Sequence, residues 1–185
     1  MTKITQNNGY TGIAIGLHWL IAVVLTGTFM LGLYVSDLPF SPQRLRLISY
    51  HKWIGITVFL LVLFRLLWRT THSAPALPDT IPQWQKLAAT ATHGLLYLLM
   101  VAVPLSGWLF SSAAGVPVVY LGLVRLPDLI GADKALAANL KELHEILNYV
   151  MLGVVIAHVL AAIKHHFIDK DAVLVRMLPF IKPRS

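Results

Sequence analysis

The chain has 185 residues, of which 57% are hydrophobic and only 12% are charged, and its formal net charge is +7. A soluble domain carries about 25% charged residues, so the composition excludes an ordinary water-soluble globule and a disordered chain. Cysteine is absent, which excludes disulfides, iron–sulfur clusters and cysteine nucleophiles. The excess of basic residues is more typical of anchors beside a membrane than of a nucleic-acid-binding surface, so no nucleic-acid partner is expected.

Stretches free of charged residues predict four membrane-spanning helices. Lipid admits only helices and closed barrels, and these stretches lack the alternation of barrel strands. In chain order, the predicted spans are residues 12–36, 48–69, 86–110 and 141–167. The predicted fold class is therefore an all-α membrane protein, a four-transmembrane-helix bundle that forms a single domain over residues 1–185.

The regions between the spans carry further signals. Two prolines and two glycines divide the third apolar run, so the chain after about residue 110 is expected to be loop. The segment Asp133–Glu145 is expected to open as a helix that leads into the fourth span. An even number of spans places both termini on one side of the membrane. Nine of the 15 Lys and Arg residues fall on that side, which predicts cytoplasmic termini.

Five of the eight histidines lie in or near the predicted spans: His18, His51, His93, His144 and His158. An ionisable residue inside a span is costly and indicates function, although a single histidine often serves as a helix–helix hydrogen bond. His144 and His158 are 14 residues apart, which is about 21 Å along a helix and nearly the same face. The two rings therefore cannot share one ion, and each needs a partner from another helix at its own depth.

The direction of each span assigns those partners. His18 begins the outward first span and His158 ends the returning fourth span, so both lie on the inner side. His51 and His144 both begin inward spans, so both lie on the outer side. Facing imidazoles are how helical bundles hold b-type haem, whereas a bare ion prefers three or four clustered ligands. The first pair is predicted to hold the iron of an inner haem, and the second pair that of an outer haem.

Other residues recur at the same 14-residue interval. Arg65 follows His51 by 14 residues, which places a guanidinium below the inner haem, where it can pair with a propionate or act as an interfacial anchor. Gly32 and Gly107 follow two of the histidines by 14 residues, which suits close approach to a flat macrocycle or small-residue helix packing. No second histidine lies 14 residues from His93, and a propionate contact, a proton relay, a quinone site and a packing role all remain open for it.

The three remaining histidines are expected outside the haem sites. His165 and His166 are adjacent, hence about 100° apart on a helix, and cannot easily bind one ion. With the neighbouring Lys and Asp residues they are expected to form a solvated polar cap on the inner side. His72 lies in a proline-rich segment and is expected at the surface.

Several segments, in order along nearly the whole chain, resemble the bacterial cytochrome b561 family. They are His18-Trp19, HKWIGI (51–56), LFRLLWR (63–69), HGLLYLLM (93–100), KELHEIL (141–147), VIAHV (155–159) and KHHFIDKD (164–171). The resemblance implies a four-helix inner-membrane bundle with two b haems, ligated by the counterparts of the two histidine pairs. It also implies electron transfer across or within the membrane, which in one characterised type runs between periplasmic superoxide and ubiquinone.

The predicted function is a di-haem b-type cytochrome of the bacterial inner membrane. It would carry electrons between the quinone pool and a periplasmic donor or acceptor such as superoxide. This interpretation favours an oxidoreductase without a catalytic side chain, because haem iron performs the redox chemistry. Arg44, Arg46 and Lys52 on the outer side can steer an anionic donor or contact lipid headgroups. Two alternatives remain: a membrane anchor or cytochrome subunit of a larger redox complex, and a proton or metal transporter that uses the intramembrane histidines.

Overall fold

The computed structural model describes residues 9–178, 180 and 181. Four long helices account for most of them: α1 (Gly12–Asp37), α2 (Pro42–Thr71), α3 (Gln83–Ala113) and α4 (Lys134–Lys164). A π-helical turn (His165–Asp169) continues α4. Two short strands in the α3–α4 connection, β1 (Val119–Tyr120) and β2 (Val124–Arg125), pair in antiparallel register.

Each of the four helices is long and apolar enough to cross a membrane. This confirms the predicted class of an all-α, four-span membrane bundle. The helices are longer than the predicted spans, since α2 begins at Pro42 rather than residue 48 and α4 begins at Lys134 rather than residue 141. The cytoplasmic placement of the termini and the single domain over residues 1–185 remain predictions.

Polar side chains mark where three of the helices begin. Thr11, Ser41 and Asp133 each accept a hydrogen bond from a backbone N–H in the first turn of α1, α2 and α4. Such caps satisfy N–H groups that a helix start leaves without a partner. The helix expected over Asp133–Glu145 is thereby confirmed as the opening turns of α4.

Apolar packing holds the bundle together, most extensively between α1 and α2 and between α3 and α4, while α2 and α3 join the two halves. The buried core consists of two clusters: Ile21, Val58 and Val62, and Leu99, Val103 and Met151. Outside this core, large apolar side chains are exposed, Val23 to 68% and Leu98 to 63%. Exposure of such a surface to water is unfavourable, whereas lipid tails are as apolar as the side chains themselves.

Two tryptophans hold the α3–α4 connection against the bundle. The indole N–H of Trp53 donates to the carbonyl of Val119 at 2.6 Å, and that of Trp108 donates to the carbonyl of Pro127 at 3.1 Å. The loop expected after residue 110 starts at Ala114, because α3 continues through the internal proline of its apolar run. The α3–α4 connection therefore packs against the bundle beside the first half of α2.

The residues after α4 correct one expectation. His165 Nδ1 lies 2.6 Å from the Asp171 carboxylate, and its side chain is 16% exposed. His166 is only 5% exposed. The expected solvated cap at these two histidines is wrong, because the π-helical turn directs one ring at a carboxylate and buries the other. His72 is exposed, as expected.

Candidate functional site

The structure brings together the histidines that the span directions pair. The ring centres of His18, on α1, and His158, on α4, are 6.3 Å apart, with an angle of 69° between the ring planes. The ring centres of His51, on α2, and His144, on α4, are also 6.3 Å apart, with an angle of 89°. We call these the inner pair and the outer pair. Their role as ligands stays a prediction.

The separation within each pair matches the size of one shared metal ion. A metal–nitrogen bond is about 2.0 Å and a ring nitrogen lies about 1.1 Å from its ring centre, so two imidazoles on opposite sides of one ion have centres about 6.2 Å apart. Both observed separations agree with this value. At such a distance the nitrogens of the two rings are too far apart to hydrogen-bond to each other. The spacing of each pair is therefore compatible with one ion between the rings and excludes a direct hydrogen bond between them.

Hydrogen bonds fix the orientation of His144. Its Nδ1 lies 3.0 Å from the backbone oxygen of Val103 and 3.0 Å from Oγ of Ser106. Because a carbonyl oxygen can only accept, Nδ1 carries the proton and Nε2 keeps a free lone pair. Metal-binding histidines characteristically donate their second N–H to a carbonyl in this way. His51 differs: its Nδ1 is buried without a hydrogen bond of good geometry in the described residues, although the backbone of Thr28 lies beside it.

Two glycines lie directly against the rings of the outer pair. A Cβ at Gly32 would lie 3.0 Å from Cε1 of His51, and a Cβ at Gly107 would lie 3.0 Å from Cε1 of His144. Contacts this short would force the rings to move. The sequence left macrocycle approach and helix packing open for these glycines. In the structure, the backbone at each of them makes room for an imidazole.

A cavity of about 270 Å³ adjoins the outer pair. Its lining is mainly apolar, with His51 and His144 on its wall and three cations beside them: Arg44, Lys52 and Lys141. Two imidazoles in an apolar cavity with cations nearby suit a flat, apolar group that binds a metal and carries anionic substituents. Haem b, a porphyrin with two propionates, has these properties.

The inner pair has different neighbours. The His93 ring centre is 5.3 Å from that of His158, which is shorter than for two rings on opposite sides of one ion, and the two rings meet edge to face. Arg65 Nε donates to the hydroxyl of Tyr97 at 3.0 Å, and the Arg69 guanidinium lies 5.6 Å from the centre of the Tyr97 ring. Arg65, Arg69 and Tyr97 are among the residues that line a small cavity of about 30 Å³. The inner site is thus a cluster of polar and charged side chains.

Two residues of these sites, Tyr97 and Ser106, are not among the site residues predicted from the sequence. Tyr97 lies four residues after His93, so both stand on one face of α3, and this spacing is a signal that the sequence offered. Ser106 contacts His144 across 38 positions of sequence. That contact depends on how α3 and α4 are aligned, and the sequence offers no comparable signal for it.

A third group of possible ligands lies beyond α4. His165, Asp169 and Asp171 have ligand atoms that all lie within 4.8 Å of one another. The ammonium of Lys164 already pairs with the Asp169 carboxylate. Because Lys164 and the His165 ring already contact these carboxylates, we interpret the cluster as side-chain contacts that stabilise the π-helical turn.

Known proteins resemble this chain along nearly its whole length. The model of the prokaryotic cytochrome b561 family matches residues 9–180. Cytochrome b561 homolog 2 of Escherichia coli (strain K12) is 37% identical over 91% of this chain and 90% of its own length. Cytochrome b561 homolog 1 of the same organism is 29% identical over 93% of this chain and 98% of its own length. Probable superoxide oxidase CybB of Yersinia pestis is 29% identical, over 92% and 96% respectively.

Proposed function

The chain belongs to the prokaryotic cytochrome b561 family, and on that premise we propose that it is a di-haem cytochrome that moves electrons across the bacterial inner membrane. The family is one of b-type cytochromes, and four membrane-capable helices make the chain a multi-pass membrane protein. The observation that carries the proposal is the common 6.3 Å separation of ring centres in the inner and outer pairs. Two ligand pairs of one size indicate two haems of one type.

Each proposed haem would be held by its own pair of histidines. His18 and His158 hold the iron of the inner haem, and His51 and His144 hold that of the outer haem. The two histidines of α4 are about 21 Å apart along the helix, so the proposed centres lie at different depths. Together they form a path for electrons through an apolar bundle.

The residues of the chain set the conditions for electron transfer. Bound haem would supply a reversible one-electron couple, and two histidines held on its iron would favour electron transfer over oxygen binding. The hydrogen bond from His144 Nδ1 to the carbonyl of Val103 leaves Nε2 as the nitrogen with a free lone pair, and Nε2 is the proposed ligand atom. The glycine at position 107 leaves room for that ring. The mainly apolar lining of the cavity disfavours water beside the rings.

The proposed partners differ at the two ends of the path. The Yersinia pestis relative is named a probable superoxide oxidase, and we extend superoxide to this chain as a donor on the outer side. On the inner side we propose a quinone, ubiquinone in particular, which reaches the bundle through the membrane. His93 is exposed on the bundle surface while its ring contacts His158, so it offers a quinone a polar contact beside the inner haem. Arg65 is the proposed partner of an inner propionate.

Haem counting on purified protein tests the proposal. Extraction and reduced-minus-oxidised spectra should give a b-type signal with two haems per chain. His144→Ala should retain the inner haem alone, and His158→Ala should retain the outer haem alone. His72→Ala is the matched control, because that ring is exposed and stacks on Trp68 outside both pairs. It should keep two haems.

The outcomes separate the parts of the proposal. Folded wild-type protein without haem, taken from haem-replete cells, would contradict a cytochrome function. One haem per chain in the wild type would leave a cytochrome but contradict the two-centre path. Loss of both haems from either single variant, with the fold intact by circular dichroism, would contradict the assignment of separate ligand pairs.

A further inference from the structure

The three cations on the wall of the outer cavity are not equivalent. Lys52 Nζ donates to the backbone oxygen of Val116 at 3.3 Å. Lys141 Nζ forms an ion pair with Glu145 at 2.9 Å. Arg44 Nε is shielded from solvent and has no hydrogen-bond partner among residues 9–178, 180 and 181. Arg44 therefore brings an uncompensated N–H donor and a positive charge to the cavity.

A buried donor of a charged group without a partner is unfavourable, and folded proteins rarely leave one. The natural complement of a guanidinium is an anion with two oxygens in a plane, since the fork of N–H groups matches a carboxylate in two-point contact. The other two cations lack this geometry, because an ammonium acts as a point charge. Arg44 thus points to a carboxylate on whatever molecule the cavity takes.

The position of Arg44 on α2 relates it to the outer pair. It precedes His51 by seven residues, which is two helical turns and nearly the same face. Both side chains line the same cavity. A group held by His51 through its metal would therefore have its edge, and not its centre, beside Arg44.

We infer that Arg44 binds a propionate carboxylate of the outer haem, with Lys52 as a second cation beside it. This inference rests on the proposed function, since it takes haem as the occupant of the cavity. The guanidinium then both anchors the macrocycle and adds positive charge near the iron. Positive charge favours the reduced iron, so Arg44 raises the reduction potential of the outer haem.

The chain offers a matched control two residues away. Arg46 is exposed and does not line the cavity, whereas Arg44 is partly buried. Both belong to α2, and either can contribute to a general attraction of anions from solution. A difference between the two variants therefore reports on the cavity and not on surface charge.

The test is a redox titration of purified two-haem protein, with the outer signal identified by its loss in His144→Ala. Arg44→Gln should lower the outer potential by a tenfold change in the one-electron equilibrium, about 59 mV. It should also speed the loss of outer haem to an apoprotein acceptor about tenfold. Arg44→Lys should recover most of the potential and little of the haem retention. Arg46→Gln should leave both measurements unchanged.

Three results would overturn the inference. The first is an unchanged outer potential and haem retention in Arg44→Gln, and the second is equal shifts in Arg44→Gln and Arg46→Gln. The third is a slower reduction by superoxide without any shift in potential, which would make Arg44 an attractor of the donor. If Arg44→Gln does not fold, Arg44→Lys decides, because it keeps the charge but removes Nε, and unchanged haem retention would contradict the inference. Wild type without haem would instead overturn the proposed function itself.

Discussion

The outer pair, His51 and His144, and the inner pair, His18 and His158, have the same ring separation of 6.3 Å. Around the outer pair lie a cavity of about 270 Å³, a glycine backbone against each ring, and two hydrogen-bond partners for His144. Around the inner pair lie a third histidine ring at 5.3 Å and a cluster of arginines on a tyrosine. The spacing of the rings is shared, and their surroundings are not.

This difference separates two tasks of a metal-binding site. The distance between facing rings limits whether an ion fits between them, and the two pairs share one distance. The neighbours of the ligands decide the charge, hydrogen bonding and access that set a reduction potential. The two proposed haems should therefore be held in the same way but have different reduction potentials. Each potential should respond to substitutions at its own end of the bundle.

The largest expected effect breaks the outer site by filling space. Gly107→Val places a side chain against His144 and should displace its ring, because the first carbon alone would be 3.0 Å from Cε1. Overpacking of this kind costs about 1–3 kcal/mol, which weakens outer haem binding about 5- to 150-fold. Haem content and the outer redox signal should fall while the inner signal remains. Gly94→Val is the control on the same helix, since a Cβ there meets nothing within 4 Å in the described part of the chain. Equal haem loss from both variants would contradict the steric explanation.

The next effect concerns charge at the inner site. Arg65→Gln removes a partly buried guanidinium and should lower the inner potential by tens of millivolts, because positive charge favours reduced iron. Arg69→Gln removes an exposed guanidinium from the same tyrosine ring and should have a smaller effect. Redox titration of both variants measures the difference. A shift in the outer potential instead of the inner one would contradict the assignment of Arg65.

A third substitution tests whether His93 is a ligand or a neighbour. His93→Leu should keep two haems per chain, because the proposed ligands of the inner haem are His18 and His158. The quinone-linked reduction of the inner haem should slow several-fold, since the variant removes a polar group beside it. Stopped-flow reduction by ubiquinol, compared with a chemical reductant, separates the two effects. Loss of one haem in this variant would make His93 a ligand.

The smallest expected effect is at Ser106. Its hydroxyl donates to the Val103 carbonyl at 2.7 Å and receives part of the hydrogen bond from His144 Nδ1. Ser106→Ala leaves the carbonyl as the acceptor, so the imidazole becomes slightly less basic and the oxidised iron less stabilised. The outer potential should rise by less than about 59 mV, which is less than a tenfold change in the equilibrium. Ser112→Ala, on the same helix, contacts neither histidine pair and is the control. A fall in the outer potential would contradict this account.

Much of the architecture could be predicted from patterns along the chain. Charge-free runs located all four helices, because lipid leaves a spanning chain few alternatives to a helix. Helix periodicity and span direction then placed His18 beside His158 and His51 beside His144. The start of α4 was predicted too, since the helix expected from Asp133 begins there. These features depend on residues that are close in sequence or on the depth of a residue in the membrane. Both can be calculated from residue positions along the chain.

Other features depend on how the helices rotate and slide against one another. The sequence spacing related Gly32 to His18, yet in the structure it contacts His51 on the adjacent helix. The expected solvated cap at His165 and His166 failed because a π-helical turn changes the direction of both rings. A one-residue change in helical phase moves a side chain by about 100°, and the sequence does not specify that phase.

By itself, the sequence determined a four-helix membrane bundle and two histidine pairs at two depths. The reason is that hydrophobic length and helical rise are properties of a single segment. The tertiary structure alone decided what surrounds each pair: the glycines and the serine at the outer rings, the tyrosine and third histidine at the inner ones, and the unpaired nitrogen of Arg44. These are contacts between helices, and they exist only when side-chain packing has fixed the register and rotation of one helix against another.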